Sequence, residues 1–490
     1  MFFAAWGLMG RLALTFFLGV LLFMPPASAL GQDAEILTLW PLIDYRRTED
    51  SDFVSFHLLG PLFSYQRTLE ETRYGLRPLY HHVRNAEGKY RYSEFLYPLA
   101  SRKAEPKRTF FQGLHLLNYD FGRMGDPQED EFLLFPFVFY RKTDQEGEGY
   151  LAIFPLGGKI TNRFGRDEIQ FALFPLYSRT QKKGTTVTNV LWPIGARIEG
   201  ENESGWKFWP LAGASQKEGV YRKRFYLWPF YFDYRLAQDT EAPLHQRMFF
   251  PFFFGEDSPQ RVSRTYLWPF FSHIQDRAKG YEEWNLPWPI FRVAEGGDKE
   301  IQRFLPFYAD ERGEGYRKRW FLWPLYKIEE TETEFYQRRR DRVLFFLYSD
   351  LKEQTYGEDG KNKRRTAFWP LFSYEENDGV SHFYTLSLLE PFFPESGGIE
   401  RNWSPLWRLY QRKWDRHGNE MSSLLWNLYW KERRGDDLAL EIFPLLSFRR
   451  DVERGVDWSL LKGLLRYRSG PEGRRVNLFY LPWGLPLGKG

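Results

Sequence analysis

Polar and apolar residues alternate along this chain in short blocks, and one apolar block returns throughout. Its core is an apolar residue, then Trp or Phe, then Pro, then usually Leu or Phe. The Trp form occurs at Trp40-Pro41, Trp192-Pro193, Trp209-Pro210, Trp228-Pro229, Trp268-Pro269, Trp288-Pro289, Trp323-Pro324 and Trp369-Pro370. The Phe form includes the pairs ending in Pro136, Pro155, Pro175 and Pro444. Further copies centre on Pro61, Pro78, Pro98, Pro251, Pro306, Pro391 and Pro482, and the apolar pattern survives without proline near Leu116, Phe346, Arg408, Asn427 and Leu464. Counted from Pro41, this makes about 24 units with a period of about 19 residues, the signature of a repeat architecture.

Between the cores lie polar, glycine-containing stretches such as 144–149, 200–205, 296–298, 311–315 and 357–360. They carry turn chemistry and recur too often for helices of ordinary length. With about six residues per turn, about thirteen remain for a strand, and strands joined by short turns run antiparallel. The expected fold is therefore all-β: an antiparallel meander of about 24 repeated strands, occupying residues 30–490 as a single domain. Proline lacks a ladder donor and belongs at edges, bulges or strand starts. Each unit is thus either one strand kinked at its proline or two short strands meeting at a corner, and the charged flanks favour the kink.

Even and odd offsets from the proline separate the two faces of such a strand. Around Pro324 the even set is Trp320, Leu322, Tyr326 and Ile328, all apolar, whereas the odd set is apolar only in its middle. Around Pro370, Phe368, Phe372 and Tyr374 stand against Arg365, Ala367, Ser373 and Glu375. A broad apolar face on an even number of antiparallel strands suits a large transmembrane barrel, closed so that no edge is unpaired. Tryptophans lining a lumen, prolines in membrane strands and the non-aromatic end Leu487-Gly488-Lys489-Gly490 oppose that reading. The expectation is a sheet closed as a large barrel, with a soluble stacked β-repeat and its solenoid-like sheet as the alternative.

Composition adds compartment and removes chemistry. Arg11, the apolar run Leu12–Met24 and the small-residue site Ala27-Ser28-Ala29 read as a secretory signal peptide over residues 1–29, with an uncleaved anchor as the rival. There is no cysteine, which excludes disulfides, thiolate metal sites and a lipid-modified cysteine. The chain is expected to be exported to the outer membrane, periplasm or surface of a double-membraned bacterium. Lys plus Arg number 68 against 64 Asp plus Glu, mixed in every segment, so no nucleic-acid partner is expected. Aromatic residues reach 19%, and their regular register points to a structural ladder more than to sugar-binding platforms.

No phosphate loop, nucleophile elbow or paired-histidine zinc motif is present. His81-His82 place their side chains on opposite faces of a strand. Carboxylates such as Glu129-Asp130-Glu131, Asp257, Asp298, Asp310-Glu311 and Glu375-Glu376 lie where turns and strand ends need solvation. Asn402-Trp403-Ser404 matches a glycosylation sequon of little weight. No catalytic, cofactor or metal residue is assigned. Arg338-Arg339-Arg340, Arg364-Arg365 and Arg449-Arg450 could meet anionic lipid or polysaccharide, or pair with neighbouring acids. The expected function is a non-enzymatic, outer-membrane barrel-like envelope protein serving as channel, translocation element or scaffold. The alternative is a soluble periplasmic or secreted scaffold binding a protein partner or polysaccharide.

Overall fold

A computed structural model describes residues 35–48, 53–114, 116–122, 130–143, 147–357, 360–393, 396–471, 473–481 and 483–487. The signal segment 1–29, His115, Glu129, residues 144–146, Pro482 and residues 488–490 lie outside the described residues.

The proline ends one strand and starts the next. In the unit centred on Pro229, strand Tyr221–Tyr226 runs into Leu227-Trp228-Pro229-Phe230 and returns as strand Tyr231–Leu236, with Tyr226 opposite Tyr231. The Trp228–Pro229 peptide is cis, and the Phe230 N–H donates to the Leu227 carbonyl at 2.8 Å. This is a tight turn with cis-proline at its third position. Cis X–Pro bonds stand likewise at Pro41, Pro136, Pro155, Pro175, Pro193, Pro210, Pro269, Pro289, Pro324, Pro370 and Pro444. The donor that proline lacks is not needed at that position, which resolves the conflict between a proline-rich motif and a β-fold. Where the proline is missing, left-handed residues make the turn instead, as at Trp426 (φ 52°) and Asn427 (φ 73°).

Each repeat therefore supplies two strands, and the expectation of about 24 strands is corrected to 46 among the described residues, with every described pairing antiparallel. The polar stretches form the alternate turns: strand Gly195–Gly200 is joined to Glu203–Phe208, and Phe291–Gly296 to Lys299–Phe304. Strands are short, from two to eight residues.

The chain divides into two compact units. The middle unit comprises residues 89–378 and 391–394 and, among the described residues, holds thirty strands, from Arg91–Phe95 to Phe372–Asn377, successive strands within it pairing with one another. The end unit comprises the chain up to residue 88, residues 379–390 and the chain from residue 395. It holds six strands from Glu35–Leu39 to Tyr80–Asn85, ten from Val380–Thr385 to Leu485–Pro486, and two short helices, Gly397–Asn402 and Ser404–Trp407.

Closure as a barrel is also corrected. Among the described residues the first strand, Glu35–Leu39, pairs only with Ile43–Thr48, and the last, Leu485–Pro486, only with Gly473–Leu478. A closed barrel requires those two terminal strands to pair. The open sheet fits the solenoid-like alternative, in which each strand rests on its neighbours in sequence.

Turn size decides which face a side chain takes. Around Pro370 the partners are Phe368 and Phe372, two residues either side, so parity is kept: Ala367 faces Ser373 and Arg365 faces Glu375. Around Pro324 Phe321 faces Tyr326, three residues against two, and parity inverts. Trp320 then shares a face with Lys327, and Ile328 with Arg319, so the expected apolar set is split. Burial favours small side chains: Ala152 and Ala309 are fully covered, and Ala367 and Ser373 nearly so. One apolar core cluster, in the middle unit, joins Leu133, Phe139, Tyr150, Ala152, Ile160 and Phe171.

Candidate functional site: the aromatic turn rim

In a meander, alternate turns lie along opposite rims. In the middle unit the proline turns fall on one rim and the polar turns on the other. Backbone hydrogen bonds stitch the proline rim together. The N–H of the residue before one proline donates to the carbonyl of the preceding proline: Trp192 to Pro175 at 2.8 Å, Trp228 to Pro210 at 2.7 Å, Trp268 to Pro251 at 2.8 Å and Trp323 to Pro306 at 2.6 Å.

That registry sets the rings of successive turns side by side. Ring centroids lie 5.2 Å apart for Phe154–Phe174, 5.6 Å for Phe174–Trp192, 5.9 Å for Trp209–Trp228, 6.1 Å for Phe250–Trp268 and 5.5 Å for Phe346–Trp369. The ladder is not buried. Trp192 is 52% exposed, Trp228 45%, Trp268 43% and Trp323 48%, and their turn neighbours Leu227, Phe230, Leu267, Phe270 and Leu322 are exposed as well. Trp209 and Trp288 belong to the same exposed row, whereas Trp369 is half-buried against Phe346 and Phe392. Trp40 lies in the end unit, where its Nε1 donates to the Leu425 carbonyl at 2.7 Å. A row of apolar side chains at the water boundary exceeds what isolated surface residues explain.

Five of the carboxylates singled out from sequence sit in ion pairs. Asp310 accepts from Arg317 at 2.6 Å and Arg312 at 3.1 Å, and the Arg317 bond holds its carboxyl below the ordinary range against the opposing effect of partial burial. Glu375 pairs with Arg365 at 3.0 Å, Asp257 with Arg264, Glu311 with Arg303 and Glu131 with Arg163. Most of the flanking arginines are paired too: Arg338 with Glu353 at 3.2 Å, Arg339 with Asp341 at 3.0 Å and Arg364 with Asp350 at 3.1 Å. Most of these contacts tie one strand to another, while Arg312–Asp310 and Arg339–Asp341 lie within one strand.

His81 and His82 occupy opposite faces, His81 buried and His82 set against Tyr74 at 4.9 Å between ring centroids. His245 meets Asp233 at 3.1 Å, and His273 meets Glu282 at 2.8 Å while stacking on Trp284. Among the described residues no three His, Asp or Glu side chains could hold a metal ion. Asn402 of the sequon is fully buried, its Nδ2 donating to the Gly398 carbonyl at 2.9 Å, and is closed to glycosylation in the folded chain.

The motif was legible in sequence, but its exposure was not. A proline-aromatic block reads equally as a core or a rim until the turn geometry places it. No protein-family model matches this chain and no curated protein matches it.

Proposed function

We propose that this chain is a non-enzymatic scaffold of a bacterial cell envelope that rests on a lipid surface through its aromatic turn rim. The observation that carries the reading is the half-exposed row of Trp, Phe and Leu at successive proline turns of the middle unit. Tryptophan and phenylalanine rings combine a large apolar area with a preference for the membrane–water boundary, where one edge is apolar and the other wet. The opposite rim, with its polar turns, would stay in water. The expected export signal agrees with an envelope location. A channel would need a closed pore, and the open first and last strands give that version no support.

Vesicle co-flotation tests the proposal, together with carbonate extraction of membranes from cells producing the full chain. The purified protein should float with liposomes and resist release by salt. Recovery in the soluble fraction, with no flotation on any lipid composition, overturns it in favour of the soluble scaffold that binds polysaccharide or a protein partner.

A further inference from the structure

The end unit contains a cleft of about 1260 Å³ whose walls come from opposite ends of the chain. Strands Glu35–Leu39, Ile43–Thr48 and Phe53–Leu58 face strands Glu420–Leu424, Tyr429–Arg434 and Leu446–Asp451. Specific contacts hold the walls together. Trp40 donates to the Leu425 carbonyl, Asn427 Nδ2 to Asp44 Oδ2, and Arg77 Nε to the Arg401 carbonyl at 2.7 Å, while the Arg46 guanidinium lies 4.3 Å from the Trp430 ring centroid.

Two half-buried guanidinium groups in this cleft form no ion pair among the described residues. The Arg449 side chain makes no hydrogen bond or ion pair among them. Asp457, its partner across the strands, and Glu441 act on it electrostatically but bond other cations: Asp457 holds Arg466 at 2.9 and 2.5 Å, and Glu441 holds Lys462. Arg77 bonds only the Pro61 and Arg401 carbonyls, at 2.8 and 2.7 Å, while Glu400, the acid nearest in effect, grips Arg408 at 2.6 and 2.7 Å. Burial lowers the affinity of both groups for their protons, that of Arg77 to a pKa of about 10. Arg46 acts electrostatically on Arg449 and on His57, which also feels Arg77. Trp430 Nε1, buried in the wall, has no acceptor. Half-buried cations whose neighbouring acids are bonded to other groups are incompletely compensated, and an anion in the cleft would reduce that cost. Beside them the walls carry Ile36, Ile43, Phe53, Met421 and Leu438.

We propose that the cleft binds an anionic amphiphile, with a phosphate or carboxylate head on Arg449, Arg77 and Arg46 and its apolar body against Ile36, Phe53 and Met421. This site is separate from the rim and does not depend on the function proposed for it.

Calorimetric titration of the full chain tests the assignment with three probes: dihexanoyl phosphatidic acid, dihexanoyl phosphatidylcholine and inorganic phosphate. Phosphatidic acid should bind saturably, at least tenfold more tightly than either of the others. R449Q should weaken it at least tenfold without lowering the unfolding temperature, because the replaced side chain has no hydrogen bond or ion pair to lose, while R449K should keep most of the binding. R77Q should weaken binding likewise should R449Q fail to fold, with some loss of unfolding temperature because its bonds to the Pro61 and Arg401 carbonyls go with it. Rim variants should bind as the wild type does. The proposal is overturned if phosphatidic acid does not bind, if phosphatidylcholine or free phosphate binds equally well, or if both glutamine variants bind normally.

Discussion

Replacing the four rim tryptophans Trp192, Trp228, Trp268 and Trp323 together by glutamine is the most direct perturbation of the rim. Each ring is about half exposed, at 52, 45, 43 and 48%. A tryptophan offers up to about 250 Å² of contact area, so the four present roughly 450–500 Å² to whatever covers them. At about 25 cal/mol per Å², complete coverage would contribute about 11–12 kcal/mol. A headgroup boundary that covers only a quarter of the area still supplies about 3 kcal/mol, or roughly a hundredfold in partitioning. Liposome flotation at graded lipid concentration reads this directly, with circular dichroism confirming that the variant keeps its β-signal. The single variants should each lose about threefold to fivefold. Partitioning of the fourfold variant within threefold of wild type would refute the reasoning, because the rings would then be exposed without being used.

Three further outcomes follow from the packing. His57 has its pKa pushed down to about 4 by burial, with Arg77 and Arg46 adding to the effect and Asp44 opposing it. A base whose folded pKa lies below its unfolded value near 6.5 costs stability as pH falls from about 6.5 to 4, here by up to about 3 kcal/mol. Urea titrations across that window should show a shallower acid loss for H57Q than for wild type, and parallel curves would remove His57 from the account. A Cβ at Gly158, where φ is 143°, would meet the Ala152 Cα at 2.3 Å inside the apolar cluster. G158A should therefore lose about 2–4 kcal/mol, and a loss below about 0.5 kcal/mol would mean the two strands part without cost. D310N removes the negative charge that Arg317 and Arg312 share and one of its two acceptor oxygens, but both arginines are partly in water, so thermal melts should show only about 1–2 kcal/mol lost. A larger drop would mean that the pair is more enclosed than its geometry indicates.

What the amino-acid order determined by itself is the periodic β-character. The recurrence of Trp-Pro and Phe-Pro, and the polar stretches around residues 201–202 and 297–298 that form the alternate turns, are local signals read without any partner. The strand count was not local. Pro229 is compatible with a kink, a corner or a full reversal, and only the pairing of Tyr226 with Tyr231 selects the reversal that doubles the number of strands. Face assignment failed around Pro324 for a related reason, since a turn longer by one residue inverts the alternation on one side, whereas it held around Pro370. The exposure of the tryptophan row required knowing that the prolines of the middle unit share one rim. The arginine cleft lay further out of reach: Arg77 and Arg449 are separated by hundreds of positions, and their incomplete charge compensation follows from what Glu400 and Asp457 bind instead. Local chemistry writes turns and strands, but burial and charge compensation are sums over neighbours that only the folded chain assembles.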